Sequence, residues 1–215
     1  MLKTRIKASQ ISNLTDARYF AAWQVEWLGF SLDAASGRPL NPTQIQALKA
    51  WVEGPKMVGE FGLQNPAEIA TAVNMLNLDV VQVSPFASVK EIHQQIDVPI
   101  IKNIVPESID ALSLLYDQLK QEAHFVEAFL LHLDKVGISW SMVKAGDGID
   151  MIKLKDWCQG FPIILSLDFE APEVLEIIEE LQPYGLNLVG GEEEKVGLKS
   201  FDDLDAVFEL LEELE

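Results

Sequence analysis

Val80-Val81-Gln82-Val83 and Ile163-Ile164-Leu165 are short runs made almost entirely of apolar residues that favour β-strands. A strand has this composition when both of its faces are covered, as in a parallel sheet with helices on one side and a core on the other. Longer segments with a helical spacing of apolar residues separate such runs, and the alternation continues along the chain. We therefore predict repeated β-α units and a parallel sheet.

Eight such runs are found in the sequence: Thr4–Ala8, Trp27–Leu32, Lys56–Phe61, Asp79–Val83, Pro99–Ile104, Val126–His132, Pro162–Ser166 and Leu186–Val189. A chain of 215 residues with 48% hydrophobic content can bury one large core. We predict an α/β protein with one domain over residues 1–215, a parallel (β/α)₈ TIM barrel. Its functional mouth is expected at the C-terminal ends of the strands.

The connecting segments carry signals for helix starts. Asn41-Pro42 and Asn65-Pro66 place proline where the first residue of a helix belongs. The last segment, 201–215, has apolar residues at helical spacing and predicts an eighth helix that closes the barrel. Residues 134–151 predict a long irregular loop after the sixth strand, and loops on that rim usually shape a binding site.

Composition argues against several classes of function. A formal net charge of −18 and a pI near 4.4 repel phosphate backbones and anionic lipids, so we expect no nucleic-acid or membrane partner. Cys158 is the only cysteine, which rules out an internal disulfide or a multi-cysteine metal cluster. We expect no metal and no cofactor. Neither a leader segment nor a run of about 18 apolar residues is found, so we expect a cytoplasmic protein.

Polar residues two positions apart in an apolar strand share one face and point toward the barrel interior or its upper rim. Three strands carry such pairs: Lys7 with Ser9, Gln82 with Ser84, and His132 with Asp134. Because these pairs lie near the C-terminal ends of their strands, we expect them to meet at the mouth. A small-molecule ligand is the partner that such a mouth would accept.

A series of short motifs runs through the chain in order: Ile11-Ser12-Asn13-Leu14-Thr15-Asp16-Ala17, Leu28-Gly29-Phe30, Ser36-Gly37-Arg38, Val58-Gly59-Glu60-Phe61, Val80-Val81-Gln82-Val83, Pro99-Ile100-Ile101-Lys102, Ala128-Phe129-Leu130-Leu131 and Gly197-Leu198-Lys199. Together they resemble the phosphoribosylanthranilate isomerase family of tryptophan biosynthesis. Members of that family convert an aminoaldose into an aminoketose. The resemblance implies the barrel fold and an aldose-ketose isomerase ancestry.

Both proton-transfer positions differ from the family pattern. The cysteine base of the family's first strand aligns with Ser9, and the aspartate acid of its sixth strand aligns with His132, with Asp134 as the nearest carboxylate. A thiol with a pKa of about 8.5 can become a thiolate, whereas a hydroxyl needs an adjacent base. These three residues are candidate catalytic groups of a degenerate site. The alternative is that His132 is a hydrogen-bonded core residue and Asp134 a loop cap.

The phosphate cradle implied by the resemblance is also altered. A glycine pair after the seventh strand is replaced by Ser166-Leu167-Asp168-Phe169-Glu170, and Gly190-Gly191 is followed by Glu192-Glu193-Glu194. Carboxylates around the remaining glycines would oppose a dianionic ligand. The candidate ligand-binding residues are Lys7, Arg38, Gln82, Ser84, Lys102, Gly190 and Gly191.

These departures leave three functions open. The one that we favour is a paralogue that has lost the isomerase machinery and binds a different ligand or partner, or serves another role. The second is a working isomerase with a rebuilt acid-base pair, in which His132 or Asp134 is the acid. The third is a non-enzymatic interaction module. We expect a monomer or a homodimer.

Overall fold

Eight parallel strands form the centre of this computed structural model, which describes residues 1–36, 39–108, 111–112, 115–190, 193–195, 198–199 and 201–213. They are β1 (Ile6–Ser9), β2 (Trp27–Ser31), β3 (Lys56–Glu60), β4 (Val80–Val83), β5 (Ile100–Ile104), β6 (Ala128–His132), β7 (Ile163–Ser166) and β8 (Gly185–Val189). Each strand pairs with the next in sequence order, and β8 pairs with β1 to close the barrel. Each strand overlaps one predicted run, and the predicted (β/α)₈ barrel is confirmed.

At least one α-helix follows each strand of the barrel, and two α-helices lie between β6 and β7. The helices are α1 (Leu14–Ala22), α2 (Pro42–Lys49), α3 (Pro66–Leu76), α4 (Val89–His93), α5 (Leu115–Glu122), α6 (Trp140–Ala145), α7 (Met151–Gly160), α8 (Val174–Leu181) and α9 (Asp202–Leu211). A short antiparallel pair, β9 (Glu193–Lys195) and β10 (Leu198–Lys199), precedes α9. Asn41 and Asn65 cap α2 and α3 as predicted, each accepting a backbone N–H from the first turn. No helix in the described ranges is both long enough and apolar enough to cross a membrane.

The segment after β6 is more regular than the sequence predicts. It contains a 3₁₀ turn at Asp134–Val136 and the short helix α6, whose N-cap is Ser139. Trp140 is fully buried, and its indole Nε1 donates to Glu176 at 2.9 Å. The tryptophan therefore packs this segment against α8, and its ring does not cover the mouth.

Two apolar clusters hold the barrel together. The inner cluster fills the barrel below the mouth and comprises Trp27, Val58, Val80, Ile101, Ala128, Leu130 and Ile164. The outer and larger cluster lies between the strands and the helices, and Phe208 of α9 belongs to it. Because side chains alternate along each strand, the inward positions above the inner cluster are those that reach the mouth.

Aromatic side chains fix the last helix to the first. The Phe208 ring stacks on Trp23 with centroids 5.0 Å apart and meets Phe20 edge-on at 6.0 Å. Tyr19 donates its hydroxyl to Asp205 at 2.6 Å. The predicted closing helix is therefore confirmed over Asp202–Leu211.

Candidate functional site

Two adjoining cavities open at the C-terminal ends of the strands. The central cavity, of about 190 Å³, is lined by Ser9, Gln10, Ser31, Asp33, Ser36, Glu60, Phe61, Gln82, Asn103, His132, Asp134, Lys135, Asn187 and Val189. The side cavity, of about 550 Å³, is lined by Asp134, Ser166, Leu167, Asp168, Phe169, Glu170, Ala171, Asn187, Leu188, Val189, Asp203, Leu204, Ala206 and Val207. Three residues, Asp134, Asn187 and Val189, line both, so the two cavities adjoin, and together we call them the mouth.

A buried ion pair lies at the floor of the central cavity. The fully buried Lys7 ammonium donates to Glu60 Oε1 at 2.8 Å and to Ser9 Oγ at 2.6 Å. Burial lowers the pKa of Lys7, and the Glu60 carboxylate opposes that shift. On β2, a side-chain carbon at Gly29 would overlap the Glu60 carboxylate, so glycine makes room for the pair. The pair fixes the position of the Ser9 hydroxyl from below.

The polar chain continues from Ser9 toward the side cavity. The Ser9 hydroxyl donates to Asn187 Oδ1 at 2.5 Å, and Asn187 Nδ2 donates to Ser166 Oγ at 3.1 Å. All three residues are buried. The Ser9 hydroxyl therefore accepts from an ammonium and donates to an amide oxygen, which commits its one proton.

His132 and Asp134 meet on the other side of the mouth. Imidazole Nδ1 lies 3.4 Å from Asp134 Oδ1, a close contact that lacks the alignment of a hydrogen bond. Burial lowers the pKa of His132, and the Asp134 charge only partly offsets this. Burial by itself would raise the pKa of Asp134, but His132 and the Ser166 hydroxyl outweigh it and lower that pKa. Near neutral pH the pair is a neutral imidazole beside a carboxylate.

We predict that the His132 imidazole titrates below the ordinary 6.5 and that Asp134→Asn lowers its midpoint further. The carboxylate favours the imidazolium, so its removal leaves burial unopposed. Since the unfolded chain binds this proton more readily than the native one, His132 also reduces stability as the pH falls below 6.5. Histidine NMR titrations of the wild type and variant measure the midpoint. Asp97→Asn, an exposed carboxylate elsewhere, serves as control, and a higher midpoint in Asp134→Asn contradicts the prediction.

The remaining predicted residues are distributed unevenly. Gln82 lines the central cavity, whereas Ser84, just beyond β4, is buried outside the lining of either cavity. Lys102 lies on the outward side of β5, where its ammonium donates to the Ala87 carbonyl at 2.6 Å. The structure therefore does not bring Lys102 together with the mouth residues. Gly190 directly follows β8, and Arg38 and Gly191 lie outside the described residues.

Sequence reasoning missed two residues that organise the mouth. Glu60 on β3 and Asn187 on β8 both line the central cavity, and Glu60 lies two positions after Val58 of the inner cluster. The alternation that selected Lys7 and Ser9 also applies to these strands. The alternation can therefore be read from the sequence, whereas the ion pair that joins Glu60 on β3 to Lys7 on β1 cannot.

The side cavity is acidic. Among its described lining residues, Asp134, Asp168, Glu170 and Asp203 are carboxylates and none is a lysine or arginine. Asp203 belongs to the first turn of α9, which also contains Asp202 and Asp205. A helix N-terminus favours an anion, and here carboxylates of the helix itself occupy that position.

Known proteins resemble this chain along nearly its whole length. A family model described as N-(5′-phosphoribosyl)anthranilate (PRA) isomerase matches residues 6–210. The N-(5′-phosphoribosyl)anthranilate isomerase of Chlorobium luteolum is 28% identical over 215 residues, which cover 94% of each chain.

Solved structures share the same barrel. The phosphoribosyl anthranilate isomerase of Thermus thermophilus aligns with a TM-score of 0.71 at 24% identity, covering 96% of this chain and 97% of that one. Another phosphoribosyl anthranilate isomerase, in complex with reduced 1-(o-carboxyphenylamino)-1-deoxyribulose 5-phosphate, has a TM-score of 0.72 at 19% identity and the same coverage. At these identities the likeness supports the fold alone.

Proposed function

Because this chain belongs to the N-(5′-phosphoribosyl)anthranilate isomerase family, we propose that it is a divergent member that no longer catalyses that isomerisation and binds a different small molecule at its mouth. The observation that carries the proposal is the hydrogen bonding of Ser9. Its hydroxyl donates to the Asn187 amide oxygen, which is not a base, and accepts from the Lys7 ammonium, which is paired with Glu60.

The one thiol of the chain does not replace the base that the resemblance implies. Cys158 belongs to α7 in the outer layer and is buried there. Burial raises the pKa of its thiol to about 12, so it remains protonated at neutral pH. A thiolate at the mouth is therefore not available from Cys158.

The acidic side cavity also supports the proposal. The family's substrate carries a phosphate, and the described lining of this cavity offers carboxylates where such a group needs donors. At close range in water, each carboxylate makes the binding free energy of a negatively charged group less favourable by on the order of 1 kcal/mol. An anionic sugar ester is therefore a poor ligand here.

A working isomerase with a rebuilt acid-base pair is the second candidate, favoured by the contact between His132 and Asp134. Near neutral pH the imidazole and the carboxylate can each accept a proton, and both residues line the central cavity. The imidazolium formed when His132 accepts a proton would then be the acid of the pair. Glu60 adds a carboxylate to the same cavity, although its Oε1 is engaged by Lys7. This function requires that the ligand reach His132 past an acidic rim.

Turnover of phosphoribosylanthranilate, followed by the loss of its fluorescence, tests the proposal. We expect a rate at least about 10⁴-fold below that of the Chlorobium luteolum isomerase assayed alongside. General acid-base catalysis contributes about 10²–10⁴-fold per group, and both groups differ here.

The same assay distinguishes the two candidates. Turnover near the rate of the relative rejects the divergent reading. If that turnover is lost in His132→Ala and Asp134→Ala but retained in the control Asp97→Ala, the rebuilt acid-base pair is established instead. Asp97 is exposed and lines neither cavity of the mouth.

A further inference from the structure

An unsatisfied amide faces the central cavity. Gln82 is only 6% exposed, and its Oε1 is buried without a hydrogen-bond partner in the described part of the chain. Asn103 Oδ1, on the neighbouring strand, is in the same state. Both side chains line the central cavity. Since a buried polar group without a partner is costly, the two amides point to a polar ligand that hydrogen-bonds with them.

Hydroxyl groups match these amides best. The described lining of the central cavity is rich in neutral hydrogen-bonding side chains: Ser9, Gln10, Ser31, Ser36, Gln82, Asn103 and Asn187. A polyhydroxylated molecule both donates and accepts hydrogen bonds, so it can pair with oxygen and nitrogen atoms of such amides. A phosphate or carboxylate group would offer acceptors alone.

The described lining of the side cavity has carboxylates but no lysine or arginine, whereas Lys135 accompanies the carboxylates Asp33, Glu60 and Asp134 in the central cavity. Asp168 and Glu170, in the loop after β7, and Asp203, in α9, are exposed carboxylates that converge on the side cavity. Asp134 stands between the two cavities, and its lowered pKa keeps it ionised. A protonated amine complements this arrangement, because it supplies both positive charge and donors.

We propose that the mouth binds a small polyhydroxylated molecule carrying a protonated amine, with its hydroxyls on Gln82 and Asn103 and its amine in the side cavity. The inference rests on the proposed function, since it replaces the family's anionic substrate by a cationic ligand. A central cavity of about 190 Å³ is large enough for one sugar ring, and the side cavity of about 550 Å³ adds room for substituents.

Three probes of pentose size separate charge from shape. The cationic probe is 1,4-dideoxy-1,4-imino-D-ribitol, the neutral probe is D-ribose, and the dianionic probe is D-ribose 5-phosphate. In titration calorimetry the iminoribitol is expected to bind at least about tenfold more tightly than ribose 5-phosphate, a difference of about 1.4 kcal/mol. Ribose is expected between them. Equal or tighter binding of ribose 5-phosphate, or no binding of the iminoribitol, overturns the proposal.

Variants locate the binding. Asp168→Asn/Glu170→Gln/Asp203→Asn is expected to weaken iminoribitol binding at least about tenfold and to leave ribose binding unchanged. Glu53→Gln/Glu91→Gln/Asp97→Asn removes the same charge from exposed positions outside the mouth and is expected to retain iminoribitol binding. Equal losses in the two triple variants would mean that the net charge of the protein attracts the cation, which overturns the proposal.

Gln82→Leu tests the central cavity independently of charge. It is expected to weaken ribose and iminoribitol binding alike, and unchanged binding of both contradicts the assigned role of the amide. The two proposals also fail separately. Ordinary turnover of phosphoribosylanthranilate rejects the proposed function, whereas absent turnover together with absent iminoribitol binding rejects only this inference.

Discussion

Glu60→Gln is expected to lower the free energy of unfolding by about 3–5 kcal/mol. The change leaves the fully buried Lys7 ammonium without its counter-charge, 2.8 Å from a neutral amide. Lys7 must then remain charged in a buried site without a counter-charge or lose its proton, and both are costly. Urea denaturation followed by circular dichroism measures the loss.

A variant that lacks both charges shows whether the lost stability comes from the unpaired Lys7 ammonium. Lys7→Met with Glu60→Leu removes both charges, and we expect the double variant to be more stable than Glu60→Gln alone. Lys56→Met breaks the exposed pair of Lys56 with Glu26 and is expected to cost no more than about 1 kcal/mol. If Glu60→Gln costs no more than this exposed control, the buried pair does not hold the floor of the mouth.

Phe208→Ala is expected to lower the free energy of unfolding by a similar amount, about 3–5 kcal/mol. Phe208 is fully buried, and its ring contacts the rings of Tyr19, Phe20 and Trp23. Its removal opens a cavity between α9 and α1 where the barrel closes. Chemical denaturation compared with the wild type measures the change.

Phe86→Ala provides a matched control for the same chemical change. The Phe86 side chain is 82% exposed, so its removal leaves little cavity and is expected to change stability by at most about 0.5 kcal/mol. Phe208→Leu retains apolar volume and should cost less than the alanine variant. Equal effects of Phe208→Ala and Phe86→Ala would show that α9 contributes little to the closed barrel.

The fold could be predicted because its signal is local. Each strand is a short apolar run, and each helix has its own spacing and, at Asn41 and Asn65, its own cap. The segment after β6 was predicted less well. Ser139 caps a short helix there and Trp140 is buried against α8, an interaction that joins residues 36 positions apart.

The candidate site was predictable only in part. Alternation along β1 and β6 correctly placed Ser9 and His132 toward the mouth, and it placed Gln82 there from β4. Lys102 was chosen by resemblance, and its position on β5 is an outward one. Successive side chains of a strand point to opposite faces of the sheet. A residue can therefore be assigned to the inward or the outward face once a neighbouring residue of its strand has been located in the core.

The sequence by itself determined the strands, the helices and the face of each strand that carries polar side chains. The tertiary structure decided the partners: Lys7 with Glu60, 53 positions apart, and Ser9 with Asn187, 178 positions apart. The physical reason is that closure of the barrel brings β8 against β1 and sets the stagger between strands. The position of a residue along its strand specifies which way its side chain points. The partner of that side chain lies on another strand, and the position of that strand is established only when the barrel closes.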